Sequence, residues 1–460
     1  MPLRSNANMH QFKVFTRWRP LLPCESNSPE IQRNYEEHNS SRVSISMTPP
    51  TPSGRPWKSE AAFTQVFETD KNNESVFDAV IAPTLPLVLN GRSCNLFAYG
   101  HSGSGKSHTI IGYDFDNLNE FGLCLLAAYH LSRTLKDLNV DNDDASSELG
   151  LGLRMYELRK NTAFDLLNGH TKCHVREGYD GQTHIRGETE VLEDGKVRVR
   201  PIVTKACWSF DDFRREFLAG LELRATGTST VHDQSSRTHA ILELEIVTRA
   251  LLEARDAVIE RQSELVPVAK RATDVYLEES MKGVIQTSEG KFVPNPDYQI
   301  DQARIDAAEA KKAEFESYVK KAEDHVEEVF ESCSYSSLGG KLVFVDLAGS
   351  EYHHDAASSS VAKPKQTSQE QQEGRQINVD LLSLKEVIRA RALKQARIPF
   401  RSSPLTMVLR NHFLGSNTKD SHSAMILTTS PSSEQFAATM NTLKYGNLVG
   451  VAGERKKKAV

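Results

Sequence analysis

Long apolar runs are missing from this sequence. No stretch of 18 consecutive apolar residues occurs in its 460 positions, which excludes a hydrophobic transmembrane helix and leaves no membrane span to expect. The N-terminus, Met1-Pro2-Leu3-Arg4-Ser5-Asn6, lacks the apolar core of a secretory signal, so an intracellular, soluble protein is expected. Cysteine is scarce. The six present (Cys24, Cys94, Cys124, Cys173, Cys207, Cys333) are scattered without a C-x-x-C pair, and several lie in apolar runs, which predicts buried free thiols rather than zinc ligands or disulfides. Positive charge is not in excess either: a formal net charge of −5 has the wrong sign for holding nucleic acid through the overall field, so no nucleic-acid partner is expected. What remains, 38% hydrophobic and 25% charged residues, suffices for one large core.

Against this background one segment names a ligand class. Gly100-His101-Ser102-Gly103-Ser104-Gly105-Lys106-Ser107 follows the apolar stretch Cys94–Tyr99 and precedes a helix-compatible segment, the context of a phosphate-binding loop. Its glycines let consecutive backbone N–H groups turn toward phosphates, Lys106 brings a charge to the outer phosphates, and the Ser107 hydroxyl suits a Mg²⁺ shell. Two later segments narrow the reading. Leu342-Val343-Phe344-Val345-Asp346-Leu347-Ala348-Gly349-Ser350-Glu351 is an apolar strand ending in Asp, with Gly three residues on. That spacing suits a carboxylate holding Mg²⁺ through water and a glycine N–H reaching a γ-phosphate. Ser235-Ser236-Arg237-Thr238-His239 offers hydroxyls and a cation just before the alternating strand Ala240–Ile246.

Taken in this order, the segments resemble the nucleotide site of the kinesin motor domain. The family's GQTGSGKT-like loop, NxxSSRSH switch I and DLAGSE switch II have the counterparts GHSGSGKS, HDQSSRTH and an intact DLAGSE here. Arg17-Trp18-Arg19-Pro20 resembles its R-x-R-P adenine-side segment. Glu373-Gly374-Arg375-Gln376-Ile377-Asn378 with the following leucines resembles the helix after switch II, and Ile398–Thr406 and Thr442–Gly446 extend the likeness over nearly the whole chain. The resemblance implies ATP/ADP and Mg²⁺ as ligands: Ser107, Ser236 and Asp346 around the metal, Gly349 sensing the γ-phosphate, and an Arg237–Glu351 pair polarising the attacking water. The family's switch I Asn is His232 here, a substitution that brings a titratable ring near the γ-phosphate. Arg92 stands where many kinesins place an aromatic against adenine, and either stacks on the base or points into water. His108 matches a position that approaches the purine.

Strands alternating with helices predict an α/β fold: a central mixed, mostly parallel β-sheet flanked by helices on both faces. The motor domain is expected over residues 1–450, with a basic tail at 451–460. Two regions depart from the family. Residues 249–338 form a charge-rich insertion whose 301–331 segment repeats apolar residues at helical spacing, with a break over 290–297; that helix packs back on the domain, pairs with a partner, or stays mobile. Residues 352–372 form a long polar switch II loop. Arg389, Arg391, Lys394, Arg397 and Arg401 read either as a solvated helix face or, by the resemblance, as the microtubule-facing stripe. Two functions follow: an ATP-hydrolysing microtubule motor in the cytoplasm and cytoskeleton, or a kinesin-derived microtubule-binding scaffold with weak or lost ATPase.

Overall fold

Residues Ser93–Tyr99 are buried without exception, as a continuous apolar run predicts for a strand covered on both faces. In the computed structural model they form the centre of a twelve-stranded sheet. Residues 12–452 are described, apart from 26–27, 39–41, 51–53, 141–143, 179–180, 194, 227–236, 289, 351–367 and 415–420. The parallel part contains β1 (Lys13–Trp18), β5 (Gln65–Phe67), β6 (Ser93–Tyr99), β16 (Lys341–Asp346) and β17 (His422–Thr429), in the order β16-β6-β17-β1-β5. From β16 the sheet continues antiparallel through β13 (His239–Val247), β7 (Gly150–Arg159), β8 (Thr162–Asp165), β9 (Thr171–Glu177), β10 (Thr183–Val191) and β11 (Val197–Pro201), with β12 (Lys205–Cys207) paired to the first half of β7 on the edge that β8 takes further along. A separate small sheet holds β2 (Gln32–His38), β3 (Arg42–Thr48) and β4 (Trp57–Lys58). The sheet is mixed, as expected, but parallel pairing is confined to five strands and antiparallel pairs are the more numerous. Tight connections rather than helical crossovers join β7 to β11, and these permit only antiparallel neighbours.

Helices cover both faces. On one side α1 (Asn73–Val80), α4 (Leu123–Leu138) and α5 (Phe210–Thr226) pack Val76, Phe77, Leu131 and Phe213 against the even positions of β13. On the other, α8 (Ser368–Ala392), α9 (Pro404–Leu414) and α10 (Phe436–Gly450) contribute Leu384, Leu409 and Leu443. Prolines divide the helical stretch that follows: after α1 the chain makes a 3₁₀ turn carrying Pro83 and then the short α2 (Leu85–Val88) carrying Pro86, with a proline near the start of each. The phosphate loop opens only a single-turn helix, α3 (Lys106–Ile110).

The insertion forms a long antiparallel helical hairpin. α6 (Arg249–Lys282) and α7 (Gln302–Ser332) are joined by the β-ribbon β14 (Val284–Gln286) and β15 (Phe292–Pro294), so the expected break is a turn that reverses the chain. The expected helix is present within a residue at each end, and Asp301 caps it by accepting from Arg304 N at 2.9 Å. α7 packs back on α6, and ion pairs from Lys196 (2.5 Å) and Arg198 (3.3 Å) to Glu260 tie α6 to the β10–β11 hairpin. Of the long loop expected at 352–372, residues to 367 lie outside the described ones; 368–372 are already helical, in α8. Val451 and Ala452 are buried, so the first residues of the expected tail belong to the domain body; the rest of it lies outside the described residues.

Candidate functional site

The end of β6 delivers the chain into a loop whose shape depends on glycine. Gly103 (φ +72°) and Gly105 (φ +102°) adopt left-handed backbone conformations. Gly100 meets a different limit: a Cβ there would lie 2.4 Å from Thr428 O and 2.5 Å from Ser104 Oγ, because β17 runs directly beside the loop. Gly100→Ala is therefore expected to lower stability by about 2–3 kcal/mol and to weaken nucleotide binding, as read by thermal melting and by titration with fluorescent ADP. The remaining loop is braced from several sides. Ser104 and Thr428 hydroxyls are 2.7 Å apart, Thr109 Oγ1 donates to Gly105 O at 2.8 Å, and Arg19 Nε donates to Gly103 O at 2.8 Å while its terminal nitrogens grip Glu25. Lys106 is buried with Nζ 3.0 Å from both Gly100 O and His101 O. Burial pushes His101 down to about 4, so its ring is neutral at pH 7 and adds no charge to the loop.

Asp346, at the end of β16, meets this loop. Ser107 Oγ donates to Asp346 Oδ2 at 2.7 Å, and Arg224 Nη1 from α5 approaches the same oxygen at 3.3 Å. Asp346 Oδ1 is buried with no hydrogen-bond partner among the described residues. A hydroxyl and a carboxylate with an unmatched oxygen form the hard-oxygen set that Mg²⁺ prefers, so these residues fit the ion. Beyond Asp346 the chain stays against the loop, with Ser350 N–H donating to Gly100 O at 3.1 Å and Gly349 buried.

The third segment joins from β13. His239 Nδ1 accepts from Ala348 N–H at 3.1 Å, which places the ring proton on Nε2, 3.5 Å from Asp380 of α8. Arg237 Nη1 lies 3.9 Å from Glu373 of α8, and Glu373 also accepts from Arg159 at 2.7 and 3.1 Å. The strand end at Asp346–Ser350 and the first half of α8 are therefore linked to this segment through Arg237, just before β13, and His239, its first residue.

Several expected residues occupy other roles. Arg17 is buried, pushed down to about 10 by desolvation, and engaged with Asn73 (2.5 Å), Thr109 (2.8 Å) and Lys71 O (3.3 Å), so that it braces α1 against α3. Arg92 immediately precedes β6, whereas the loop follows that strand's last residue. Seven extended residues span roughly 20 Å, so Arg92 lies at the wrong end of the sheet to stack on a base bound at the loop. Pro20 is exposed beside Arg19, and His108 sits near Tyr113 with ring centroids 5.6 Å apart, its pKa lowered by burial and then by Arg17. Ser235, Ser236, His232 and Glu351 lie outside the described residues. In the basic stripe, Arg389, Lys394 and Arg397 are exposed, but Arg391 turns inward onto Ser421 (2.7 Å) and Arg401 is paired bidentately with Glu177 (2.6 and 2.7 Å). Sequence reasoning missed Arg224 and Asp380. A single Arg or Asp in an amphipathic helix carries no local signal that it faces another element's carboxylate or imidazole.

Comparisons with known proteins agree with this geometry. The family model described as Kinesin motor domain matches residues 17–269 and 313–450. Kinesin-like protein KIN-13A of Oryza sativa subsp. japonica is 28% identical over 449 residues, covering 96% of this chain and 41% of that protein. Kinesin-like protein KIN-13B of Arabidopsis thaliana is 26% identical over 451 residues, covering 97% and 48%. The chain thus spans less than half the length of these curated relatives. Among solved structures, the one described as "Structure of a fast kinesin: Implications for ATPase mechanism and interactions with microtubules" superposes with a TM-score of 0.56 at 20% identity, covering 96% of this chain and 91% of that one. The motor and motor homology domain of Kar3Vik1 gives 0.57 at 19% identity, covering 95% and 84%. At these identities the structures show a shared fold.

Proposed function

The chain belongs to the kinesin motor domain family, and from that premise we propose that it is an ATP-hydrolysing microtubule motor of the cytoskeleton. The observation that carries this reading is the meeting of Ser107 with Asp346 at 2.7 Å beside an unmatched carboxylate oxygen, in a loop whose lysine is buried and poised. A protein kept only as a scaffold has no chemical need for this arrangement.

In this reading the loop N–H groups and Lys106 hold the outer phosphates, Ser107, Ser236 and Asp346 hold Mg²⁺, and the Gly349 N–H senses the γ-phosphate. Magnesium, when bound, neutralises charge on the phosphate oxygens. Arg237 and Glu351 position the attacking water. His239 bonds the strand end at Ala348 and faces Asp380, so displacement of that strand end after phosphate release is passed to α8. The exposed cations near the end of α8, Arg389, Lys394 and Arg397, form the filament contact, which makes binding salt-sensitive. Steady-state ATP hydrolysis with and without microtubules tests the reading. Strong stimulation by microtubules is expected; near-background turnover that filaments leave unchanged assigns the chain to the scaffold class.

A further inference from the structure

A cavity of about 590 Å³ opens on the α9 face of the sheet, between α9, the β10–β11 hairpin and α6. It lies at the opposite end of the sheet from the phosphate loop: Ser93 and Lys341 on its floor begin β6 and β16, whereas the loop and Asp346 come at the ends of those strands. The nucleotide reading leaves it without a role.

Its floor carries an ionic network. Glu243, on β13, accepts from Tyr156 Oη at 3.0 Å, lies 3.0 Å from His412 Nε2 of α9, and is 3.7 Å from Arg154 Nη1. Glu245 is held by Arg255 of α6 at 2.8 and 3.1 Å and lies 3.5 Å from Lys341 Nζ. Both carboxylates are buried, yet both are held below the usual range, Glu243 at about 2, because the surrounding positive charge outweighs desolvation. Arg154, Arg255 and Lys341 pair with these two carboxylates and Arg186 lines the cavity wall, a formal surplus of two positive charges that leaves His412 out of the count.

The cations that line the cavity keep donors to spare. Arg154 gives Nε to Thr204 Oγ1 at 2.6 Å but its Nη1 stands 3.7 Å from Glu243, and Lys341 Nζ stands 3.5 Å from Glu245 and, among the described residues, makes no hydrogen bond. Donors with unused capacity, a double positive surplus and a concave wall match an oxyanion of charge −2. The space is many times that of one bound water, about 30 Å³, and Ile185, Val199 and Ile259 give it apolar walls while Gln262 and Asn411 offer amides. We propose that this cavity binds a small organic phosphate, with the phosphate on Arg154, Lys341 and Arg186 and the organic part between β10 and α6. Such a ligand bridges the β10–β11 hairpin, the helical arm and α9.

The test titrates ribose 5-phosphate into the full chain with the loop site saturated by Mg·ADP, using calorimetry, and ribose as the uncharged control. One equivalent is expected to bind in the submillimolar range and ribose not to bind. Arg186→Gln and Gln262→Trp, two changes at exposed positions on the cavity wall, are each expected to weaken binding at least about tenfold while leaving the thermal midpoint and ADP affinity unchanged. Absence of binding at millimolar concentration, equal binding of ribose, or full binding by both variants overturns the proposal.

Discussion

Replacing Lys106 with alanine is expected to lower kcat/KM for ATP by about 1,000-fold or more while leaving the domain folded. The ammonium is buried, and the two carbonyls it meets at 3.0 Å belong to the loop itself. It is therefore a charge held at the point where outer phosphates gather. Preorganised donors of this kind contribute about 3–4 kcal/mol to charge developing at a phosphoryl centre, and a factor of 1,000 corresponds to about 4 kcal/mol. Stability should change little, since alanine favours the helix that begins at Lys106 and removes a buried charge. Two measurements separate binding from folding: titration with fluorescent ADP, expected to show severe loss of affinity, and the thermal midpoint without nucleotide, expected within a few degrees of wild type. Near-normal turnover by the variant would remove the loop from the chemistry.

The parts of the site legible in the sequence are those whose chemistry is encoded within a few consecutive residues. Gly100–Ser107 and Asp346–Gly349 are local patterns, and folding brings them together because β6 and β16 are adjacent parallel strands that end side by side. Contacts between distant elements were not legible. Arg224 reaches Asp346 from the end of α5, and Asp380 faces His239 from the middle of α8; each depends on a helix's position over the sheet. Arg92 shows the opposite error. The resemblance set it where the family places an aromatic against adenine, with a solvent-facing role as the alternative, and a fully extended strand separates it from the loop. The stripe of cations failed in part for a similar reason: composition cannot show that Arg391 turns toward Ser421 or that Glu177 of β9 reaches Arg401.

The insertion was legible as helix because apolar spacing reports a buried face whatever that face packs against. Its partner was not legible. α6 supplies it, and the arm's base is fixed to the β10–β11 hairpin by Lys196 and Arg198 on Glu260, a pairing between two segments more than sixty residues apart in sequence. The alternation in β13 misled more subtly. Glu243 and Glu245 occupy the positions that alternation assigns to a solvent face, yet they are only 5% and 4% exposed because α6, α9 and the β10–β11 hairpin close over that side of the sheet.

That burial makes Glu243→Gln the substitution with the largest expected effect on stability. The amide keeps the shape but removes the charge that Arg154, His412 and the Tyr156 hydroxyl surround. Breaking one side of a buried ionic network typically costs about 3–5 kcal/mol, and linkage gives a similar figure independently. A carboxyl moved from an ordinary 4.5 to about 2 contributes on the order of 3 kcal/mol at neutral pH. The sign follows from the depressed value: the contribution is complete above the unfolded value near 4.5 and is lost as pH falls from there toward 2. Urea denaturation of wild type and variant should therefore differ by about 3 kcal/mol at pH 7, and the gap should narrow by on the order of 1 kcal/mol by pH 3.5 as the unfolded wild-type chain takes up its proton. A gap that stays constant across this range would mean that Glu243 titrates normally and that the surplus of positive charge around it is not felt. A gap that closes as calculated would show that this face of the sheet holds its charge through folding, far from the nucleotide loop and independently of it.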